Sequence, residues 1–240
     1  MFRKHSLLAL IPARSASKGL PDKNIINCAG KPLIDWSISA AKNVNFFDDV
    51  LVSTDSVKIA DIARLAGASV PFLRPDEFAT DEASIVDVVK HAWENHLAPN
   101  GEFFDYVVLL QPTSPLRTSS HIISAIKLYF KELQNEKDTL ASVYQVDKKI
   151  GWLMQRENDT GYINFCFDVN SKNPQRQKLK PLYLPNGAIF IIKGSEIDGG
   201  IYHKNTIPFV MDAADSEDID TIEDLRKIEN ILGYEDANIY

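Results

Sequence analysis

The chain has 240 residues, 45% of them hydrophobic and 25% charged, with a formal net charge of −7. That length and balance suit one sizeable core, and the acidic excess excludes a general nucleic-acid surface, so any basic site must be local. The two cysteines, Cys28 and Cys166, give no disulfide framework and no metal-like spacing, which fits a reducing compartment such as the cytoplasm.

The first apolar run, Ser6–Ile11, ends at Pro12 and Arg14 and is far too short to cross a bilayer. It reads as a strand, and neither as a signal peptide nor as an anchor. Further strand-like runs are Asp49–Ser53, Ser69–Leu73, Tyr106–Gln111, Thr139–Gln145, Ala188–Lys193 and Pro208–Met211. Helical patterns lie between them, over Pro32–Lys42, Ser56–Ala66, Ser84–His96, Ser119–Leu133 and Thr221–Leu232. This alternation predicts an α/β fold of right-handed βαβ units around a mostly parallel sheet. The run "YVVLL" from Tyr106 is apolar on both faces, as a strand covered by helices on both sides requires. One region breaks the rhythm. Residues 147–184 are polar and mixed, with Trp152, Tyr162, Phe165 and Phe167 and a turn-like "NDTG" at Asn158–Gly161. They predict a hairpin-bearing arm off the single domain. Its aromatics form either a surface for a second copy of the chain or a small satellite core.

The stretch "PARSASKGLPDKN" at Pro12–Asn24 follows the first strand and carries Arg14, Lys18 and Lys23 with almost nothing to bury. Ligands of open α/β sheets sit beyond the carboxyl ends of the strands. Backbone amides of such a turn can cradle phosphate oxygens while the cations neutralise them. It is neither GxxxxGK[ST] nor GxGxxG, and on spacing alone a phosphate grip and a solvated basic loop both stand. Gln111 ends an apolar strand before Pro112. Asp218 and Asp220, two residues apart in an extended segment, point the same way and can share one hard cation. They equally suit the acidic entry to a helix starting at "TIED". Arg74 closes the third strand-like run, and Ser84 suits a helix N-cap. His91 and His96 are five apart, so there is no HExxH, and no G-x-S-x-G occurs.

"IPARSASKGLPDKN" resembles the signature of the sugar-activating cytidylyltransferases, I-P-A-R-x-x-S-K-G-x-x-x-K-N. Three more segments agree in order: "LQPTSPLR" at Leu110–Arg117, "QRQKLKPLYLPNGAIFI" at Gln175–Ile191 and "DIDTIEDL" at Asp218–Leu225. The resemblance runs over nearly the whole chain and is nearest to the enzymes that make CMP-sialic acid and related CMP-nonulosonates. "QPTSPLR" separates it from the CMP-Kdo synthetases.

The resemblance implies a Rossmann-like sheet with flanking helices and a projecting dimerisation arm, giving a homodimer. The implied reaction transfers CMP from CTP to a nine-carbon 2-keto sugar acid, releasing pyrophosphate, with Mg²⁺ as cofactor. Arg14 and Lys23 match the triphosphate-binding pair. Asn24, Arg74 and Ser84 match the nucleotide pocket, Asp218 and Asp220 the metal site. Gln111 matches an amide near the reacting centre, Arg176 an arginine that meets the sugar carboxylate, and Tyr202 an aromatic of the sugar-tail pocket. Departures are Ser15-Ala16 where Gly-Gly is common, Phe190 where tyrosine is frequent, and Gly151 near the place of an arm lysine. The last two concern the sugar pocket and leave N-acetylneuraminic, legionaminic and pseudaminic acid all open. The rival readings are a silent nucleotide-binding protein on the same scaffold and a glycosyltransferase using Asp218-Ile219-Asp220 as DxD. The retained basic turn with its acid pair, and the position of DxD near the C-terminus, argue against them.

Overall fold

The structure is a computed structural model that describes residues 4–17, 19–167, 175 and 179–234. Lys18 and Arg176 lie outside the described residues. The strands are β1 (Leu7–Pro12), β2 (Asn27–Cys28), β3 (Lys31–Pro32), β4 (Asp49–Ser53), β5 (Tyr106–Leu109), β6 (Thr139–Val146), β7 (Met154–Arg156), β8 (Ile163–Phe165), β9 (Leu182–Lys193) and β10 (Thr206–Val210). The helices are α1 (Leu33–Lys42), α2 (Val57–Leu65), α3 (Ile85–Glu94), α4 (Ser119–Glu132) and α5 (Ile222–Ile231).

Six strands form the central sheet in the order β10-β6-β9-β5-β1-β4. β1 runs parallel to β4 and β5, and β10 parallel to β6, whereas β9 is antiparallel to both of its neighbours. The alternation along β1 shows why this sequence needs helices on both sides. Leu7, Ala9 and Ile11 pack with Ile38 of α1, Ile59 of α2 and Ile126 of α4, while Leu8 and Leu10 pack with Val89 and Ala92 of α3. A third cluster joins Leu225 and Ile228 of α5 to Leu20, Leu116 and Ile219, which draws the C-terminal helix onto the turn after β1.

Four of the five described helices begin where hydroxyl side chains take up orphan amides, whereas α1 starts after Pro32 with no side-chain cap. Ser56, Ser84, Thr118 and Thr221 each cap one, and Thr118 and Thr221 complete reciprocal capping boxes. The expected strand over Ser69–Leu73 is instead a single bridge from Ser69 to Leu51. Pro71 has no N–H to continue the ladder. The expected hairpin is present as β7 and β8, closed at Asn158–Gly161 by a hydrogen bond that the Gly161 amide donates to the Glu157 carbonyl at 2.9 Å. The end of the expected arm belongs to the sheet, because β9 begins at Leu182 and pairs there with Val146 of β6.

Ile38 is fully buried in the larger cluster. Ile38→Ala should cost about 2–5 kcal/mol, read as a lower urea midpoint with an unchanged slope.

Candidate active site

At the carboxyl ends of β1 and β5 lies a cleft of about 400 Å³. Arg14, Lys23, Asn24, Arg74, Gln111, Thr113, Asp218 and Asp220 are among the residues that line it. The turn after β1 is tied down by buried groups. The Ala13 amide donates to the Ser53 carbonyl at 2.9 Å. The Asn24 side-chain amide donates to the Arg14 carbonyl at 2.9 Å. The Ser15 amide donates to Asp55 at 2.8 Å, and the Ser15 hydroxyl bonds the other oxygen of the same carboxylate. This explains how the turn does without the common glycine pair: neither Ser15 nor Ala16 has a positive φ, and the Ser15 hydroxyl adds a tether that glycine lacks.

The cations are each faced by a carboxylate. Arg14 meets Asp81 at 2.6 Å, Lys23 meets Asp220 at 2.8 Å, and the buried Arg74 has Asp55 at 3.8 Å. Burial lowers the Arg74 pKa; Asp55 opposes that, and the nearby positive charge of Arg14 adds to it. Two guanidiniums and an ammonium thus share one concave surface, a geometry suited to a polyphosphate.

The acidic wall is set by alternation. Ile219 is fully buried, and its amide donates to the Thr113 carbonyl at 2.9 Å. With Ile219 inward, both Asp218 and Asp220 line the cleft. Burial first, and then Asp220, raise the Asp218 carboxyl above its usual range, with Lys23 pulling the other way. Gly19 brings the turn against this wall: a Cβ there would stand 2.7 Å from the Asp220 carbonyl oxygen. Among the described residues no group of three or more His, Cys, Asp or Glu side chains could hold a metal by itself. Two carboxylates facing a cationic surface are nonetheless the hard-oxygen set that suits Mg²⁺, which takes its remaining ligands from water and phosphate.

Gln111 enters the cleft from the end of β5, and Gly187 makes room for it. A Cβ on Gly187, whose φ is +72°, would lie 2.5 Å from the Gln111 side-chain oxygen. Seven of the ten expected site residues therefore share the cleft: Arg14, Lys23, Asn24, Arg74, Gln111, Asp218 and Asp220. Ser84 is exposed at the N-cap of α3, where its hydroxyl accepts from the Val86 amide; its neighbours Ala83 and Ile85 line the cleft in its place. Tyr202 stands outside the cleft lining, edge-on to Phe190 with ring centres 5.5 Å apart. Arg176 lies outside the described residues. Sequence reasoning gave no role to Asp55, Asp81 or Arg117. Asp55 had a usable signal, since "STD" runs straight off the end of a parallel strand toward the ligand edge.

A cytidylyltransferase family model matches residues 8–164. The chain belongs to the cytidylyltransferase family. The N-acylneuraminate cytidylyltransferase of Streptococcus agalactiae serotype III is 39% identical over 221 residues, covering 90% of this chain and 51% of that protein. The CMP-N,N'-diacetyllegionaminic acid synthase of Legionella pneumophila is 34% identical over 235 residues, 94% of this chain and 96% of that one. The pseudaminic acid cytidylyltransferase of Campylobacter jejuni serotype O:2 is 34% identical over 221 residues, 91% and 92% of the two chains. The chain thus spans about half the length of the first of these relatives and nearly all of the other two. The fold is shared with a CMP:2-keto-3-deoxy-manno-octonic acid synthetase complexed with CTP, at 15% identity and a TM-score of 0.71 over 95% of this chain and 98% of that one.

The crowding at Gly187 separates backbone strain from side-chain clash. Gly101 also has a positive φ, +80°, but nothing lies within 4 Å of a Cβ built there. Gly101→Ala should cost about 1–2 kcal/mol for the left-handed backbone alone, and Gly187→Ala should cost more in the same urea titration.

Proposed function

We propose that this family member transfers CMP from CTP to the anomeric hydroxyl of a nine-carbon 2-keto sugar acid, releasing pyrophosphate. The observation that carries the reading is the convergence of Arg14, Lys23 and Arg74 with Asp218 and Asp220 on one cleft beyond β1 and β5. In this reaction the sugar oxygen bonds to the α-phosphorus, the bond from that phosphorus to the β-phosphate oxygen breaks, and the hydroxyl proton is lost. The transfer needs positioning and neutralisation of charge more than covalent help. Arg14 and Lys23 supply neutralisation at the triphosphate, and Arg74 adds a buried positive charge behind them. Gln111 orients the sugar acid through its amide, which offers both a donor and an acceptor. Asp218 and Asp220 would hold Mg²⁺, which when bound supplies further charge neutralisation at the phosphates.

N-acetylneuraminic acid is the substrate we propose first. Legionaminic or pseudaminic acid is the second reading, because relatives named for those sugars match 94% and 91% of the chain at 34% identity. We place the enzyme in the cytoplasm with CTP. Both cysteines are unpaired, and among the described residues no helix is long and apolar enough to cross a membrane.

With CTP and Mg²⁺, the purified chain should release pyrophosphate with one of these three sugar acids, and chelation of the metal should abolish release. No release across the panel would overturn the proposed activity.

The arm supports a homodimer. Leu153, Met154, Tyr162 and Ile163 on and next to the β7–β8 hairpin, and Tyr183 and Leu184 at the start of β9, are large apolar side chains left exposed, Tyr162 by 75%. So many exposed apolar side chains call for a covering surface, and a two-fold pairing of arms provides one. Light scattering at micromolar concentration should give a dimer mass, and the double variant Tyr162→Asp, Ile163→Asp should shift it to the monomer.

A further inference from the structure

Arg117 is only 2% exposed, yet it carries a full charge into the interior. Its guanidinium donates to the Gln111 carbonyl at 2.9 Å, the Ala188 carbonyl at 3.0 Å and the Ser37 hydroxyl at 2.5 Å. All three acceptors are neutral. Its Nε has no hydrogen-bond partner, and among the described residues it makes no ion pair. Burial alone draws its pKa down to about 9, so it remains charged at neutral pH. A buried charge without a counter-ion is costly. A methionine of similar length would fill this space without that desolvation penalty, so packing does not explain the arginine.

What the arginine holds does explain it. Ser37 also donates to the Gln111 carbonyl, at 3.3 Å, so α1, Arg117 and the end of β5 form a closed triangle. Two residues on, the Thr113 carbonyl receives the Ile219 amide, the residue between the two cleft aspartates. Ala188 follows Gly187, the glycine against which the Gln111 side chain rests. One guanidinium therefore ties the Gln111 carbonyl, at the start of the turn to Thr113, to β9 through Ala188 and to α1 through Ser37, and that turn carries Gln111 on one side and anchors the acidic wall on the other.

We propose that Arg117 is a positioning residue that sets the Gln111 amide and the Asp218–Asp220 wall in register with each other. This rests on the cytidylyl-transfer reading for its kinetic consequences and on the hydrogen bonds alone for its structural ones. The cationic turn is anchored separately, through Ser53, Asp55 and Asn24. Loss of Arg117 should therefore separate chemistry from nucleotide binding.

The test uses Arg117→Lys and Arg117→Met in the full chain. Both should give native circular dichroism. Both should lower kcat about 10- to 100-fold, while the CTP dissociation constant stays within about twofold and the Mg²⁺ concentration for half-maximal rate rises. The side-chain amide resonance of Gln111 and the backbone amide resonance of Ile219 should shift in both variants, whatever reaction the protein performs. Undiminished kcat in a folded variant, a loss of CTP affinity parallel to the loss of kcat, unmoved resonances, or failure of both variants to fold would each overturn the proposal. An inactive wild type whose variants show the shifted resonances would sink the proposed reaction and leave the positioning role standing.

Discussion

The ion pair between Lys23 and Asp220 spans 197 residues of sequence at 2.8 Å, and the architecture of the cleft depends on the meeting it marks. A basic turn after the first strand and an acidic segment before the last helix must meet across one cleft. The fold achieves this by fixing the two backbones independently. The turn hangs from β4 through Ser53 and Asp55, while the acidic segment hangs from the turn after β5 through Thr113. Gly19 then lets the two backbones touch, so that their side chains project into a common space rather than past each other.

The pairing pattern around the cleft has an energetic consequence. Arg14–Asp81 and Lys23–Asp220 both reach solvent on at least one side. Pairs of that kind contribute about 0–1 kcal/mol each. Exchanging one of these carboxylates for a phosphate oxygen therefore costs little and returns a doubly donating contact in the case of arginine. Arg74 and Asp55 differ: both are largely buried, and Asp55 also holds the amide and hydroxyl of Ser15. That pair is a fixed support for the turn, and the two outer pairs are the exchangeable ones.

The repeating α/β pattern was legible because each element carries a local signal: strands apolar on both faces, helices with hydroxyl caps. The Ser69–Leu73 run misled because its apolar residues match a strand while Pro71, a single missing donor, stops the ladder. The antiparallel insertion of β9 left no local trace, since the direction of a strand is set by the connections on either side of it. The cleft was legible where charge stood out against its surroundings, at Arg14, Lys23, Asp218 and Asp220. It was illegible at Arg117, because a buried arginine and a surface arginine look the same until the distant groups that enclose it, Ser37 and Ala188, are in place. Ser84 shows the converse, a hydroxyl whose local capping chemistry accounts for it in full.

The sheet also divides the labour of the proposed reaction. Residues assigned to the nucleotide hang from β1 and β4, which with β5 form the parallel half, whose strands all deliver their ends to one edge. β9 crosses that half in the opposite direction, so its first residues, not its last, reach the same edge; that is how Gly187 comes to lie against Gln111. The departures from the family pattern at Gly151 and Phe190 fall on the arm and on β9. Phe190 is buried, with Tyr202 against its ring. A hydroxyl there would lack water and need a partner, so phenylalanine is the less costly residue at this position. Under the proposed reaction, variation in this half would accommodate different sugar acids while the parallel half, pinned by Asp55 and Thr113, keeps the cationic side of the cleft unchanged.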